Sequence, residues 1–527
     1  MERHGLTRRS LLLGAGAAAA AIAAARLPAF EAIADAAQPT AGDWGELAGA
    51  LSGTLVLPGD PAYASARLAW NAHYDTTRPQ AVVRAANAQD VAVAIAFARD
   101  HGIRPIPRSG GHSFAGYSTG NGLIIDVAGL AEVSVRRDRE RARIGPGVDN
   151  IGMYRGLGRH GLAIPGGTCP TVGIAGLAQG GGIGPFGREH GLALDRMTAA
   201  QVVTADGRIL RVNEREHADL FWAIRGGGGG NFGIATSFEF APVTAGGTWT
   251  QSTVTFPWRH AARLFATYQD WIPALTPRCT PVFVVRNDAP STTGEPTVYL
   301  EIAYRGSRAA HDAVVRDFAR EAGVRPLAQT AETGTFYETE MADWCPGFSA
   351  EECADADATA AGRLPRLGVG IRSDFIVDRW PRAAIEAALE QLERRQRDPE
   401  LQPAGASSTV LAGKLRIEPV DGAMRDPAPG ATAYRHRDCT LLAQYQVRFP
   451  TNASASLAQA NLAWLDELYG ATRPWLSGKA YVNYLNRHPA HSGSAFYGAN
   501  LARLRRVKAA YDPNGLFRFG QGITPAA

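Results

Sequence analysis

Between residues 109 and 233 the chain gathers three glycine clusters, at 109–122, 166–187 and 226–233. Glycine loses more freedom on folding than any other residue, so such clusters mark backbone that turns sharply or lies close against something. The first, RSGGHSFAGYSTG over 108–120, sets a single histidine, His112, among four glycines and three serines. The second, IPGGTCPTVGIAG, does the same for Cys169. Bare backbone at strand turns and helix starts exposes N–H groups that cradle anions, and a nucleotide phosphate is the usual reason for it. The clusters do not follow the Rossmann fingerprint. GGGIGPFG does not join a short strand to a helix with an acidic residue about 20 positions on, which argues against NAD as resident cofactor.

The clusters fall between regular elements. PQAVVRAANAQDVAVAIAFARDHGIRPIPRSGG reads strand, helix, strand, with Asn87 as helix cap and Gly102 closing the helix. GLIIDVAGL is a further apolar strand, VSVRRDRERARIG alternates as a hairpin, residues 148–160 form a short helix, and QVVTADGRILRV is a hairpin about Asp206-Gly207. Residues 75–245 therefore make an α+β unit with its glycine loops where a ligand meets backbone. From residue 246 longer strands (PTVYLEIAYRG, TLLAQYQVRFP) alternate with helices such as SRAAHDAVVRDFAREAG and ASLAQANLAWLDELYG. Their apolar stripes and charged faces predict an antiparallel sheet covered by helices, a second and substrate-facing domain. The last stretch, from AYVNYLN to YDPNGLFRFGQGI, returns to the texture of the first unit.

Composition narrows the function classes. At 45% hydrophobic and 20% charged residues the chain is globular, and its net charge of +4 comes without a basic run, which argues against nucleic acid as partner. The only apolar stretch of near-spanning length is N-terminal. There Arg8-Arg9 precede a Leu/Ala-rich core and small residues around 34–37, the pattern of a Tat-type signal over 1–37, with a membrane anchor as the competing reading. The expectation is a secreted protein, exported folded by the Tat machinery, with no stable membrane span once the signal is removed. Five cysteines (169, 279, 345, 353 and 439) show no zinc spacing, and no metal is expected; a Cys345–Cys353 bridge stays open.

PIPRSGGHSFAGYSTG, GGTCPTVGIAGLAQGGGIG, HGLALDRMTAAQVVTADG, WAIRGGGGGNFGI, AYVNYLN and YDPNGLFRFGQGI, in this order over residues 65–523, together resemble the berberine bridge enzyme-like FAD oxidoreductases. These belong to the vanillyl-alcohol-oxidase, or PCMH-type, flavoproteins. The resemblance implies an α+β fold with a two-part FAD-binding domain over 65–245, a substrate-binding domain over 246–475, and a C-terminal segment over 476–527 that returns to the FAD domain. It implies FAD bonded through its 8α-methyl to His112 and through its C6 to Cys169. Around the histidine it implies Arg108, Ser109, Gly110, Gly111, Ser113, Gly116 and Tyr117 as cofactor-binding. Around the cysteine it implies Val172, Gly173 and Gly176, then Gly180, Gly181, Gly182 and Gly184. Asn231, Gly233 and Ile234 of the third cluster, and Asn483, complete the set.

The cofactor carries the hydride chemistry, and an alcohol C–H becomes a good hydride donor only when the O–H proton leaves, so the site needs a base. The resemblance points to the Tyr481-Val-Asn-Tyr484 motif, expected on a strand, where Tyr481 and Asn483 would share one side and Tyr484 take the other. Tyr484 is the expected base, Tyr481 its neighbour and Tyr117 the reserve. Gln444 matches a position where relatives use a Glu as base; an amide cannot, so it is expected to orient the substrate. Val172 corresponds to a position where oxygen-using relatives carry valine, so O₂ is the expected acceptor. The expected substrate is a small molecule, a sugar, oligosaccharide or other alcohol. The competing classes are a singly linked FAD enzyme acting on phenols or lactones and a non-catalytic flavin-binding protein.

Overall fold

The computed structural model describes residues 39–287, 294–345, 366–402, 411–488 and 491–526; the twin-arginine segment and Cys353 lie outside the described residues. The first sheet forms from short apolar runs: β1 (Thr54–Val56), β2 (Ala81–Arg84), β3 (Pro105–Arg108) and β4 (Leu123–Asp126), in the order β1-β2-β4-β3. β2 and β3 both run parallel to β4, so a crossover is needed, and the helix Ala88–Asp100 supplies it. Asn87 caps that helix by accepting from Asp90 N at 2.9 Å, and Gly102, at φ 64°, ends it. β3 then delivers the chain into the His112 loop.

A second sheet, ordered β5-β6-β10-β8-β9, is antiparallel. It contains β5 (Val133–Val135), β6 (Ala142–Ile144), β8 (Met197–Val203), β9 (Ile209–Asn213) and β10 (Ile234–Phe240), and both expected hairpins pair in it. β7 (Leu162–Ala163) pairs separately with β11 (Val243–Thr244).

The third sheet has seven antiparallel strands, ordered β15-β12-β14-β13-β17-β18-β16. These are β12 (Trp249–Phe256), β13 (Cys279–Arg286), β14 (Thr297–Arg305), β15 (Ala328–Gly334), β16 (Gly368–Ile376), β17 (Ala412–Pro419) and β18 (Leu441–Phe449). Strand side chains alternate between faces, and here the two faces have different chemistry. Leu300, Leu415, Ile417 and Tyr445 pack under helices Ala261–Trp271, Arg308–Ala322, Arg382–Arg397 and Ala455–Ala471 through Phe265, Phe318, Leu389 and Trp464. Glu301, Arg416, Glu418 and Gln444 face the opposite way, into a cavity.

The chain then leaves this sheet and returns to the glycine loops. Tyr497 OH donates to Gly227 O at 2.9 Å, Lys508 Nζ to Asn231 O at 2.5 Å, and Ile523 N to Asn231 Oδ1 at 2.8 Å. Among the described residues no helix is long and apolar enough to cross a membrane, and no His/Cys/Asp/Glu cluster could hold a metal ion. Cys169, Cys279 and Cys439 are free thiols, and Cys345 is disulfide-bonded.

Candidate active site

A cavity of about 600 Å³ lies between the glycine loops and the third sheet. Its floor depends on two loops meeting at bare backbone. A side-chain carbon on Gly110 would stand 2.5 Å from Gly173 N, and one on Gly173 would stand 2.0 Å from Ser109 Oγ. Only glycine permits that approach, and it brings the histidine and cysteine loops to one place. His112 Nε2 lies 2.8 Å from Thr171 Oγ1, and the imidazole stacks on Trp70 with centroids 4.4 Å apart. Burial draws its pKa down to about 3, so the ring is neutral and keeps a nucleophilic lone pair. Cys169 is exposed on the cavity wall. Burial raises its pKa while Lys414, Arg416 and Arg448 pull it down.

Four of the polar side chains expected to meet a cofactor are occupied in fastening the loops. The Arg108 guanidinium binds Asp126 at 2.7 Å and Ala66 O at 2.5 Å. Ser109 Oγ donates to Pro146 O at 2.6 Å, and Ser113 Oγ accepts from Tyr117 N at 3.0 Å. Asn231 is held between Gly227 O and Ile523 N. Gly111, Tyr117, Val172, Gly176, Gly184, Gly233 and Ile234 line the cavity wall.

Four glycines do not. Gly116 abuts the ring of Tyr74, and Gly180, Gly181 and Gly182 stand behind the wall, where they seat the tyrosine motif. A side-chain carbon on Gly180 would fall 1.9 Å from Asn483 Oδ1, and Gly182 N–H donates to Tyr481 OH at 2.9 Å.

That motif is not a strand. Tyr481 is extended and Val482–Tyr484 form a 3₁₀ turn. Tertiary hydrogen bonds override the local preference: Asn483 Nδ2 donates to Leu177 O at 2.9 Å and to Tyr481 OH at 3.0 Å. The expected separation of faces is lost with it. Both tyrosines and Asn483 line the cavity, with the tyrosine rings 4.9 Å apart and nearly perpendicular.

The Tyr481 oxygen is thus spent as an acceptor, whereas Tyr484 OH donates to Glu418 Oε2 at 2.9 Å. Arg416 Nε–H donates to Glu418 Oε1 at 3.2 Å, and the same guanidinium pairs with Glu301. Burial, then the charge of Glu418, hold the Tyr484 phenol well above the ordinary tyrosine range; burial does the same to Tyr481. Gln444 sits directly across from Arg416 in the β17–β18 ladder.

Sequence reasoning named Gln444 but missed Glu301, Lys414, Arg416, Glu418 and Arg448. The signal was present in KLRIE over 414–418, where charges occupy every second position of an otherwise buried strand.

A family model described as an FAD binding domain matches residues 79–213, and one described as berberine and berberine like matches residues 480–524. The chain is 32% identical over 447 residues to the FAD-linked oxidoreductase OXR1 of Pyricularia oryzae, covering 82% of each protein. It is 27% identical to the xylooligosaccharide oxidase of Thermothelomyces thermophilus, over 85% of this chain and 88% of that one. The solved structure of BBE-like 1 from Physcomitrella patens superposes with a TM-score of 0.80 at 25% identity, over 92% of this chain and 99% of that one.

Proposed function

The chain belongs to the berberine bridge enzyme-like family of FAD-linked oxidoreductases, and from that premise we propose that it oxidises a hydroxyl group of a sugar, oligosaccharide or other alcohol. In this reading residues 65–245 and 476–527 hold FAD and residues 246–475 form the substrate side. The observation that carries it is the Tyr484–Glu418 hydrogen bond, 2.9 Å long and set in the cavity wall above the His112 and Cys169 loops.

The residues present fit FAD. The floor is bare backbone, the Gly176 Cβ position is open, and the helix starting at Ile174 begins at Gly173 without a side-chain cap, as suits a diphosphate. When bound, FAD supplies the acceptor for the substrate hydride. The chain's own part is the proton. Tyr484, with its raised pKa, is a phenol at rest; it takes the substrate hydroxyl proton at its oxygen as it passes its own to Glu418 Oε2. Arg416 steadies the carboxylate by donating to its other oxygen. Gln444 orients the hydroxyl, and Tyr481, fixed by Gly182 and Asn483, packs beside Tyr484.

His112 and Cys169 are the two proposed attachment points, supported by their common place at the Gly110–Gly173 contact. Dioxygen is the proposed acceptor, supported by the small Val172 side chain in the wall. Tat-dependent export is proposed from the twin-arginine segment alone. Anaerobic mixing of the flavoprotein with a panel of sugars and alcohols tests the reading. Bleaching of the flavin is expected with at least one of them in the wild type and strong slowing in Tyr484→Phe; equal rates in both would overturn the assignment of the base.

A further inference from the structure

β17 places Lys414, Arg416 and Glu418 on its cavity face. Arg416 is committed, since its guanidinium pairs with both Glu301 and Glu418. Lys414 is not: among the described residues its amine makes no hydrogen bond and no ion pair, although it lines the cavity. The cross-strand register sets cations beside it, while Glu340 and Asp343 of the helix Phe336–Trp344 line the same cavity with their pKa values raised by burial. Arg286 lies directly opposite on β13, and Gln446 directly opposite on β18 with Arg448 diagonal to it, all on one face. Glu301, the acid closest in influence, is already engaged by Arg416. A shielded cation beside like charges is costly unless a counter-ion joins it. Burial, then the charges of Arg416 and Arg448, push its pKa down to about 7 against the opposing pull of Glu301 and Cys169.

Resting on the hydroxyl-oxidation reading above, we propose that Lys414, backed by Arg448, is a subsite for an anionic group of the substrate, which makes the preferred substrate an acidic sugar or glycoside rather than a neutral one. The anion is not on the reacting carbon. Four residues of strand separate Lys414 from Glu418, roughly 13 Å at the usual rise, so the acid lies further along the molecule than the hydroxyl that Tyr484 deprotonates. An ammonium–carboxylate contact in this setting is a charge-assisted hydrogen bond, of about 10- to 100-fold in affinity. The sign of its pH dependence follows. Lys414 is charged below its pKa, so anion binding is strong in mild acid and weakens as pH rises through and beyond about 7.

The test uses the holoprotein and three probes: cellobiose, the same disaccharide with a carboxylate on the ring remote from the reducing end, and its sulfate ester at that position. Binding is followed by the change in flavin absorbance under air-free conditions, and turnover by bleaching. The acidic disaccharide is expected to bind about 10- to 100-fold more tightly than cellobiose. Lys414→Met should erase that preference, read as the ratio of acidic to neutral disaccharide binding within the same variant, and Lys414→Arg should restore it. A preference for the sulfate ester over the carboxylate supports the subsite and assigns the anion as a sulfate. Equal binding of neutral and acidic sugars, or a preference that survives Lys414→Met, overturns the subsite while the hydroxyl-oxidation reading stands. Failure of every sugar and alcohol to bleach the flavin overturns both.

Discussion

Tyr484 is a weak base by itself, because burial keeps its proton on, and its usefulness depends on Glu418. Tyr484→Phe should keep the fold and the flavin while slowing flavin reduction by about 10²–10⁴, the usual cost of losing a general base. Glu418→Gln should slow it comparably, because an amide cannot take the relayed proton; Tyr481→Phe should cost less. Stopped-flow reduction separates the three. At the tethers, either His112→Ala or Cys169→Ala alone should leave yellow, acid-precipitated protein, and the double variant should release its FAD. Complete loss of colour from acid-precipitated wild type would rule out covalent attachment. Val172→Leu should slow reoxidation by air and leave reduction untouched; an unchanged oxygen rate would show that the Val172 side chain does not control oxygen access. At this scale the residues with telling local company, His112 and Cys169 among glycines and Tyr484 in its tetrapeptide, were marked in the sequence, and the fold brings all three to one cavity. The alternation in KLRIE signals that Glu418 faces the cavity, but not that it pairs with Tyr484, because that hydrogen bond spans 66 residues.

Strand β17 shows how one element divides two tasks. Ile417 and Leu415 are fully buried under the helices, while Lys414, Arg416 and Glu418 face the cavity. Ile417→Ala should therefore lower unfolding stability by about 2–5 kcal/mol and leave the reduction rate alone, whereas Glu418→Gln should do the opposite. Denaturant melts beside single-turnover rates check both. Strands, hairpins and capped helices were legible because their signals are local: period-two alternation, Asp206-Gly207, Asn87. The YVNY segment was misread as a strand for the complementary reason. Its local pattern is compatible with extension, and the contacts that wind it, Asn483 to Leu177 and Tyr481 to Gly182, come from the second glycine loop.

Across the whole molecule the C-terminal segment closes the site over two buried histidines. His436 Nε2 meets Ala495 O at 2.9 Å, and His491 lies between Tyr469 OH and Asn486. Burial holds His436 down at about 4 and His491 at about 3. Unfolded histidine takes a proton at about pH 6.5 that these folded ones refuse. Their contribution is thus complete above that pH and is lost as pH falls through the window down to about 4 and 3, at roughly 3 kcal/mol for His436 and roughly 5 kcal/mol for His491. Melting temperature should drop across that window, and His436→Asn with His491→Gln should flatten the drop; a flat wild-type profile would refute it. The change of texture near residue 246 falls where the second sheet gives way to the third, but the seating of this segment had no such mark, since Lys508 gives no sign in sequence that its amine will end on Asn231, Asp512 and Phe517. That seating sets an order of assembly. Residues 480–523 emerge from the ribosome after every other wall of the cavity, so the nascent chain presents an open cleft first and the last wall arrives by docking. A cofactor that enters during synthesis meets an open doorway, and one that arrives later must wait for the Lys508 clasp to loosen.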